Sequence, residues 1–179
     1  MSYARYKICI FGDGGVGKTT LVKRYITGKY SEDLKMTIGV EFYTKHIVID
    51  DINVNLQIWD FAGEHQFKNL LPTYVIGADG GIFMYDISRF SSLMNLDEWL
   101  AILKKDPASK AQYFPILLVG GKADLHVEEK RSIEKEFANE YGKKRNLFEF
   151  IECSSKTNDN IENIFKILTR KILTVTGLL

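Results

Sequence analysis

Cysteine is scarce. The only two in 179 residues are Cys9 and Cys153, each inside an apolar, strand-like run, so buried thiols are expected rather than a disulfide, and a reducing compartment with them. Long hydrophobic runs are missing too. Nothing approaches the length that spans a bilayer, and the N-terminus has no signal-peptide h-region, so a cytoplasmic protein is expected. Neither sign of charge is in excess: the formal net charge is +1, which gives no basis for general nucleic-acid binding. The basic run "EYGKKRN" reads as a solvated helix end. No repeat, low-complexity tract or Pro/Gly/Ser-rich linker divides the chain, so residues 1–179 read as one domain, too short for two. With 45% hydrophobic and 26% charged residues, the composition is that of a soluble globular domain.

What is present is a regular alternation of apolar runs and helical periods. "YKICIFG" reads as a strand ending at glycines, and "GKTTLVKRYITG" as a helix stopped by Gly28. "VEFYTKHIVID" and "NVNLQIWD" read as a β-hairpin, and "GGIFMYDIS" and "FPILLVGG" as strands covered on both faces. "SSLMNLDEWLAILKK" places Leu93, Leu96, Leu100 and Leu103 on one helical face. "EEKRSIEKEFANEYG" reads as a helix with a glycine stop, followed by the strand "LFEFIECSS". A last helix from about Asn160 buries Ile161, Ile164, Phe165 and Leu168. The expected fold is α/β: a mostly parallel six-stranded sheet with one antiparallel strand and helices on both faces. Ligands of such sheets bind at the carboxyl ends of the strands, where every motif below falls.

"GDGGVGKT" at residues 12–19 fits GxxxxGK[ST] between a strand and a helix. Asp13, Gly14, Gly15, Val16 and Gly17 form a loop whose backbone N–H groups can turn inward around a phosphate, which requires glycines. The helix that opens with Lys18, Thr19 and Thr20 adds its positive end. Lys18 can reach β- and γ-phosphates, and the Thr19 hydroxyl can ligate Mg²⁺. This is a nucleoside-triphosphate signature.

The base is read elsewhere. "GGKADL" ends a strand with Lys122 and Asp124. A carboxylate at the base edge accepts from guanine N1–H and N2–H₂, whereas adenine would leave it unpaired, a mismatch that can discriminate by about 10⁴-fold. The methylenes of Lys122 can cover one face of the base, and Tyr30 can meet it edge-on. "ECSSKT" brings Ser154, Ser155 and Lys156, whose backbone N–H groups reach toward the O6 carbonyl.

Over nearly its full length the chain resembles the Ras superfamily of small GTPases. The resemblance rests on "GDGGVGKT", Thr37 in "MTIGVEF", "WDFAG", "GKAD" and "ECSSK". It is most similar to the Rab branch, through "IGVEF", "LQIWD", "YVIGA" and "MYDIS". The resemblance implies a switch between GTP and GDP states with bound magnesium. Thr37 would ligate Mg²⁺ and meet the γ-phosphate, Asp60 would hold the metal through water, and the Gly63 amide would bond the γ-phosphate. Loss of that phosphate would release both loops for effector proteins to read. An activating protein and an exchange factor are the other partners implied, and a monomer is expected.

The chain departs from the family pattern at three places. Gly121 stands where an Asn usually precedes the Lys of the base motif; one lost hydrogen bond costs about 0.5–1.5 kcal/mol, so GTP should bind several-fold more weakly. Glu64 follows "DFAG" where a Gln usually orients the attacking water. It keeps an acceptor, loses the donor and adds a charge. At about 4 Å and an effective dielectric near 20, repulsion from a phosphate charge is roughly 4 kcal/mol, so Glu64 should turn outward and unassisted hydrolysis should be slow. His65 and Gln66 are expected on the solvent side. Finally, Rab proteins usually end in prenylated cysteines, whereas this sequence ends "VTGLL". Membrane attachment would then be peripheral, indirect or through a further tail. Two other functions compete with the switch: a non-hydrolysing GTP-binding scaffold, favoured by Glu64, and a P-loop enzyme on metabolites, disfavoured by the lack of a lid region.

Overall fold

A computed structural model describes residues 3–32, 35–105, 114–126 and 130–179. Its strands are β1 (Tyr3–Phe11), β2 (Val40–Ile49), β3 (Ile52–Phe61), β4 (Gly80–Asp86), β5 (Ile116–Gly121) and β6 (Glu149–Glu152). They form a six-stranded sheet in the order β2-β3-β1-β4-β5-β6. β1 pairs in parallel with β3 and β4, β4 with β5, and β5 with β6. β2 is the antiparallel strand, in register from Val40↔Phe61 to Ile49↔Ile52. The hairpin closes on Asp50 and Asp51, both at positive φ (47° and 64°), the twist-matched geometry of a two-residue turn.

The helices are α1 (Lys18–Thr27), α2 (Leu71–Tyr74), α3 (Phe90–Met94), α4 (Leu96–Leu103), α5 (Lys135–Lys143) and α6 (Ile161–Val175). Strand alternation divides the core in two. Ile8 and Ile10 of β1 face α1 and α6, packing with Leu21, Val22, Ile164, Phe165 and Leu168. Cys9 and Phe11 face the other way, toward Leu93, Leu96, Trp99 and Ala138 of α3, α4 and α5. Both cysteines are free and buried, and burial pushes each thiol up to about 12.

Three details differ from the sequence reading. Leu93, Leu96, Leu100 and Leu103 share the buried face as expected, but the helix is broken at Asn95 between α3 and α4. The helix expected from residue 128 starts only at Lys135; residues 128 and 129 lie outside those described, and 130–134 are not helical. The cause is visible in Arg131, which leaves the helical path to form paired hydrogen bonds of 2.8 and 2.6 Å with the buried Glu152. Gly142 does not stop α5 but lies inside it, at a point where a Cβ would come within 2.9 Å of Leu118 Cδ2; the left-handed residue after the helix is Asn146 (φ 61°). Removing one partner of a buried, doubly bonded ion pair leaves an uncompensated charge. Arg131→Met is therefore expected to lower stability by about 3 kcal/mol in urea denaturation, with Lys135 (3.4 Å from Glu152) a weaker substitute; a loss below about 1 kcal/mol would show that the pair does not anchor this segment.

Candidate nucleotide site

The loop between β1 and α1 turns through Gly12, Gly15 and Gly17, all at positive φ (137°, 74° and 104°), where a side chain would be strained. In front of it lies a cavity of about 370 Å³ lined by Gly14, Gly15, Gly17, Lys18, Thr19 and Thr20, and across from them by Thr37, Gly63 and Glu64. A second cavity of about 290 Å³ shares Gly17, Thr20 and Lys122 with the first and adds Val16, Tyr30, Asp124, Ser155 and Lys156. Apart from Asp13, Asp60 and Ser154, which line neither, the residues expected to touch the nucleotide thus line two adjoining compartments.

Lys18 is buried and donates to the Asp13 carbonyl at 2.9 Å. Burial pulls its ammonium down to about 8, against Asp60, Glu64 and Asp13, which favour the charge. Beneath the loop the Thr19 hydroxyl donates to Asp60 Oδ2 at 2.5 Å, and the Thr19 and Thr37 hydroxyl oxygens lie 2.6 Å apart. With the Thr19 proton committed to Asp60, Thr37 must be the donor of the pair. Asp60 is fully buried at the end of β3, and burial pushes its carboxyl up to about 6. Its Oδ1 has no partner among the described residues.

That arrangement fits magnesium. Mg²⁺ takes oxygen ligands, commonly one or two carboxylates with substrate phosphates and water making up the shell. Among the described residues no group of three or more His, Cys, Asp and Glu is gathered. Thr19, Thr37 and Asp60 offer an all-oxygen set with an orphaned buried carboxylate oxygen for a cation to satisfy.

In the base compartment the Asp124 carboxylate accepts from the Ser154 hydroxyl at 2.6 Å. The Ser154 oxygen in turn accepts from the Thr157 N–H at 3.1 Å. Ser154 therefore lies behind Asp124 and orients it rather than lining the cavity. Lys122, at φ 63°, reaches Asp86 Oδ2 at 2.7 Å. Asp13, expected to serve through its backbone, turns its carboxylate out of the phosphate cavity, where it accepts from Asn95 Nδ2 (2.7 Å) and Trp99 Nε1 (2.9 Å). The break at Asn95 is what delivers that amide.

Glu64 lies inward, not outward. Its Oε1 would be 2.8 Å from a Cβ on Gly14, and its Oε2 is buried without a partner among the described residues. Lys18, close enough to interact electrostatically with Glu64, is the attraction that opposes an outward swing. His65 and Gln66 are exposed on the 3₁₀ turn His65–Leu70, as expected.

Sequence reasoning missed what fills the place of the Gly121 side chain. A Cβ at Gly121 would lie 2.4 Å from Met84 Cε and 3.1 Å from the Val16 carbonyl. The flexible thioether of buried Met84 has filled the gap beside the phosphate loop. Gly121→Asn alone is expected to leave GTP affinity unimproved, because Met84 must be displaced. Gly121→Asn with Met84→Val should bind about three-fold or more tightly than the parent. Nucleotide dissociation rates check this; equal gains for the single and double variants would contradict it. Also missed were Arg89 and Trp99, although Arg89 lies just past the end of β4, a position where site residues collect.

The Ras family profile matches residues 7–174. The chain is 35% identical to the Ras-related protein RABG3b of Arabidopsis thaliana over 168 residues, covering 93% of this chain and 83% of that one. It is also 35% identical to the Ypt/Rab-type GTPase ypt7 of Schizosaccharomyces pombe, over 93% of this chain and 82% of the relative. To the Ras-related protein Rab7 of Drosophila melanogaster it is 33% identical, over 93% and 80%. With the sheet order, the glycine loop and the two-compartment site in place, this coverage leads to one conclusion: the chain belongs to the Ras family, as a Rab-like small GTPase.

Proposed function

We propose that this Rab-like switch binds GTP and GDP through Asp124 and Lys122 at the base and through residues 13–19 at the phosphates, and that its unassisted hydrolysis is slow. Thr19, Thr37 and Asp60 would hold magnesium, which would supply positive charge to offset that on the phosphate oxygens. The chain's own residues do the rest. Lys18 supplies a fixed cation inside the glycine loop, and Gly63 approaches that loop closely enough to offer its amide to the γ-phosphate. Thr37 ties the loop before β2 to Thr19.

Slow hydrolysis rests on one observation: an acid, Glu64, is packed against Gly14 where a water-orienting amide would be needed. Charge on it opposes the approach of a γ-phosphate, and it has no donor for the phosphoryl group. Glu64→Gln is expected to speed single-turnover GTP hydrolysis about ten-fold, equal to roughly 1.4 kcal/mol of barrier. An unchanged rate in Glu64→Gln with a collapse in Gln66→Ala would move the hydrolytic role to Gln66. The same acid supports a second reading, a GTP-binding scaffold that does not cycle. Hydrolysis that stays absent even with a candidate activating protein would favour the scaffold.

Effectors need a surface that moves with the two loops. Phe42 and Trp59 pack edge to face (ring centroids 5.4 Å apart), and Trp59 meets Tyr74 at 5.7 Å. Phe42 is 52% exposed, and Met36 and Ile38 on the adjoining loop are 70% and 78% exposed. An apolar, aromatic-centred face between the loops suits a protein partner. No helix among the described residues is long and apolar enough to cross a membrane, and peripheral attachment is part of the proposal. The nucleotide that co-purifies with the protein tests the base assignment: GDP or GTP is expected, and an adenine nucleotide would reject it.

A further inference from the structure

The phosphate loop has a front and a back. Gly14 and Gly15 line the phosphate cavity in front. Gly14 also lines an adjoining groove with Asp13, Gly63, Asn95 and Arg89, so the two spaces share Gly14 and Gly63. Arg89 lines that groove and not the phosphate cavity, and it meets the loop on the side to which the Gly14 carbonyl points. Its Nη2 donates to the Gly14 carbonyl at 2.7 Å, and its Nη1 would be 3.8 Å from a Cβ on Gly15.

The peptide between Gly14 and Gly15 is planar, and the structure contains no cis bond among the described residues. A trans peptide points its C=O and N–H in opposite directions. A donor that holds the Gly14 carbonyl toward the back thus turns the Gly15 N–H toward the front. Without a donor at the back, glycines on both sides leave that peptide free to flip.

Arg89 is itself firmly held. Its N–H donates to the Asp86 carbonyl at 3.0 Å, and its carbonyl accepts from the Ser92 N–H (3.0 Å) and hydroxyl (2.6 Å). Ser92 is fully buried and its oxygen also accepts from the Asp86 N–H at 3.0 Å. The Asp86 carboxylate meanwhile holds Lys122 of the base compartment. One turn, residues 86–92, therefore reaches both compartments. The Arg89 Nε is buried without a partner among the described residues, a cost that packing alone does not explain.

We propose that Arg89 is a positioning residue of the nucleotide site: it pins the Gly14 carbonyl and so aims the Gly15 amide at the β-phosphate that GDP and GTP share. The inference rests on the guanine-nucleotide reading given above. It differs from a transition-state role, because the guanidinium is bound to a carbonyl of the loop and does not line the phosphate cavity.

Arg89→Met keeps the apolar stem and removes every donor, whereas Arg89→Lys keeps one donor. In fluorescent-nucleotide titrations, Arg89→Met is expected to weaken GDP and GTP alike by about ten-fold, and Arg89→Lys to recover most of the loss. In ³¹P NMR of the GDP complex, the β-phosphate resonance should move in Arg89→Met while the α-phosphate stays in place. Affinities within two-fold of the parent for both variants would overturn the proposal. So would unchanged affinities with slower single-turnover hydrolysis, which would assign Arg89 to the γ-phosphoryl group. If the parent protein bound no guanine nucleotide, the functional reading and this inference would both fall; a parent that binds while Arg89→Met binds equally overturns the inference alone.

Discussion

Asp124→Asn is expected to weaken GTP binding by about 10⁴-fold and to turn the preference of the protein toward xanthosine triphosphate. Asp124 is the acceptor that would meet the guanine N1–H and N2–H₂ donors, and the Ser154 hydroxyl holds it at 2.6 Å from behind. An asparagine can keep its oxygen toward Ser154, which leaves its NH₂ facing the base. Donor then meets donor on guanine, and a buried polar pair is left unsatisfied. Xanthine carries an oxygen at C2 that accepts from that NH₂. Ser154→Ala provides the complementary test: it removes the brace without changing the charge and should weaken GTP binding far less, with no gain for xanthosine triphosphate. Competition titrations with the two triphosphates measure both variants. A variant Asp124→Asn that binds GTP as tightly as the parent would show that the base is read by another group.

Gly63→Ala is expected to reduce single-turnover hydrolysis by about 100-fold or more while leaving GDP affinity within a few-fold of the parent. A Cβ on Gly63 would fall 2.1 Å from the Gly14 nitrogen and 2.2 Å from the Asp13 carbonyl carbon. Those are backbone atoms of the phosphate loop and cannot move aside without unmaking it. The loop after β3 must therefore retreat, taking with it both the Gly63 amide and residue 64. Contacts to the base and to the β-phosphate lie elsewhere and should persist. If GDP and GTP affinities fell together by the same large factor, the damage would be to the phosphate loop itself and the docking role of Gly63 would be wrong.

Much of the fold could be read from sequence because its strands are short apolar runs bounded by glycines and its last helix has a strict period. Those signals survive folding because the core enforces them: Ile161, Ile164, Phe165 and Leu168 are all buried as expected. The misreadings share a cause, a long-range polar contact that local pattern does not encode. Arg131 belongs to a helical-looking stretch but is claimed by Glu152 in β6. Asn95 interrupts a leucine face because its amide serves Asp13. Within the site, the residues that line the cavities were legible, since phosphate and base chemistry dictates their spelling. The braces behind them were not. Arg89 and Ser154 hold the Gly14 carbonyl and the Asp124 carboxylate, Met84 fills the space at Gly121, and nothing in their neighbours' spacing announces it. Glu64 is legible as an altered position but not as an inward one, because the nearby charge of Lys18 is not visible in the local pattern.

The β2–β3 hairpin has a mechanical consequence. The loop carrying Thr37 enters β2 at the same end at which β3 delivers Asp60 and Gly63, with Val40 opposite Phe61. One more bond beyond the ladder, from the Ala62 N–H to the Gly39 carbonyl at 2.8 Å, fastens the two loops to each other. They are two jaws on one hinge plate, and opening one alone costs that bond, about 0.5–1.5 kcal/mol. A displacement of either loop is therefore passed on to the other through the shared edge of the hairpin.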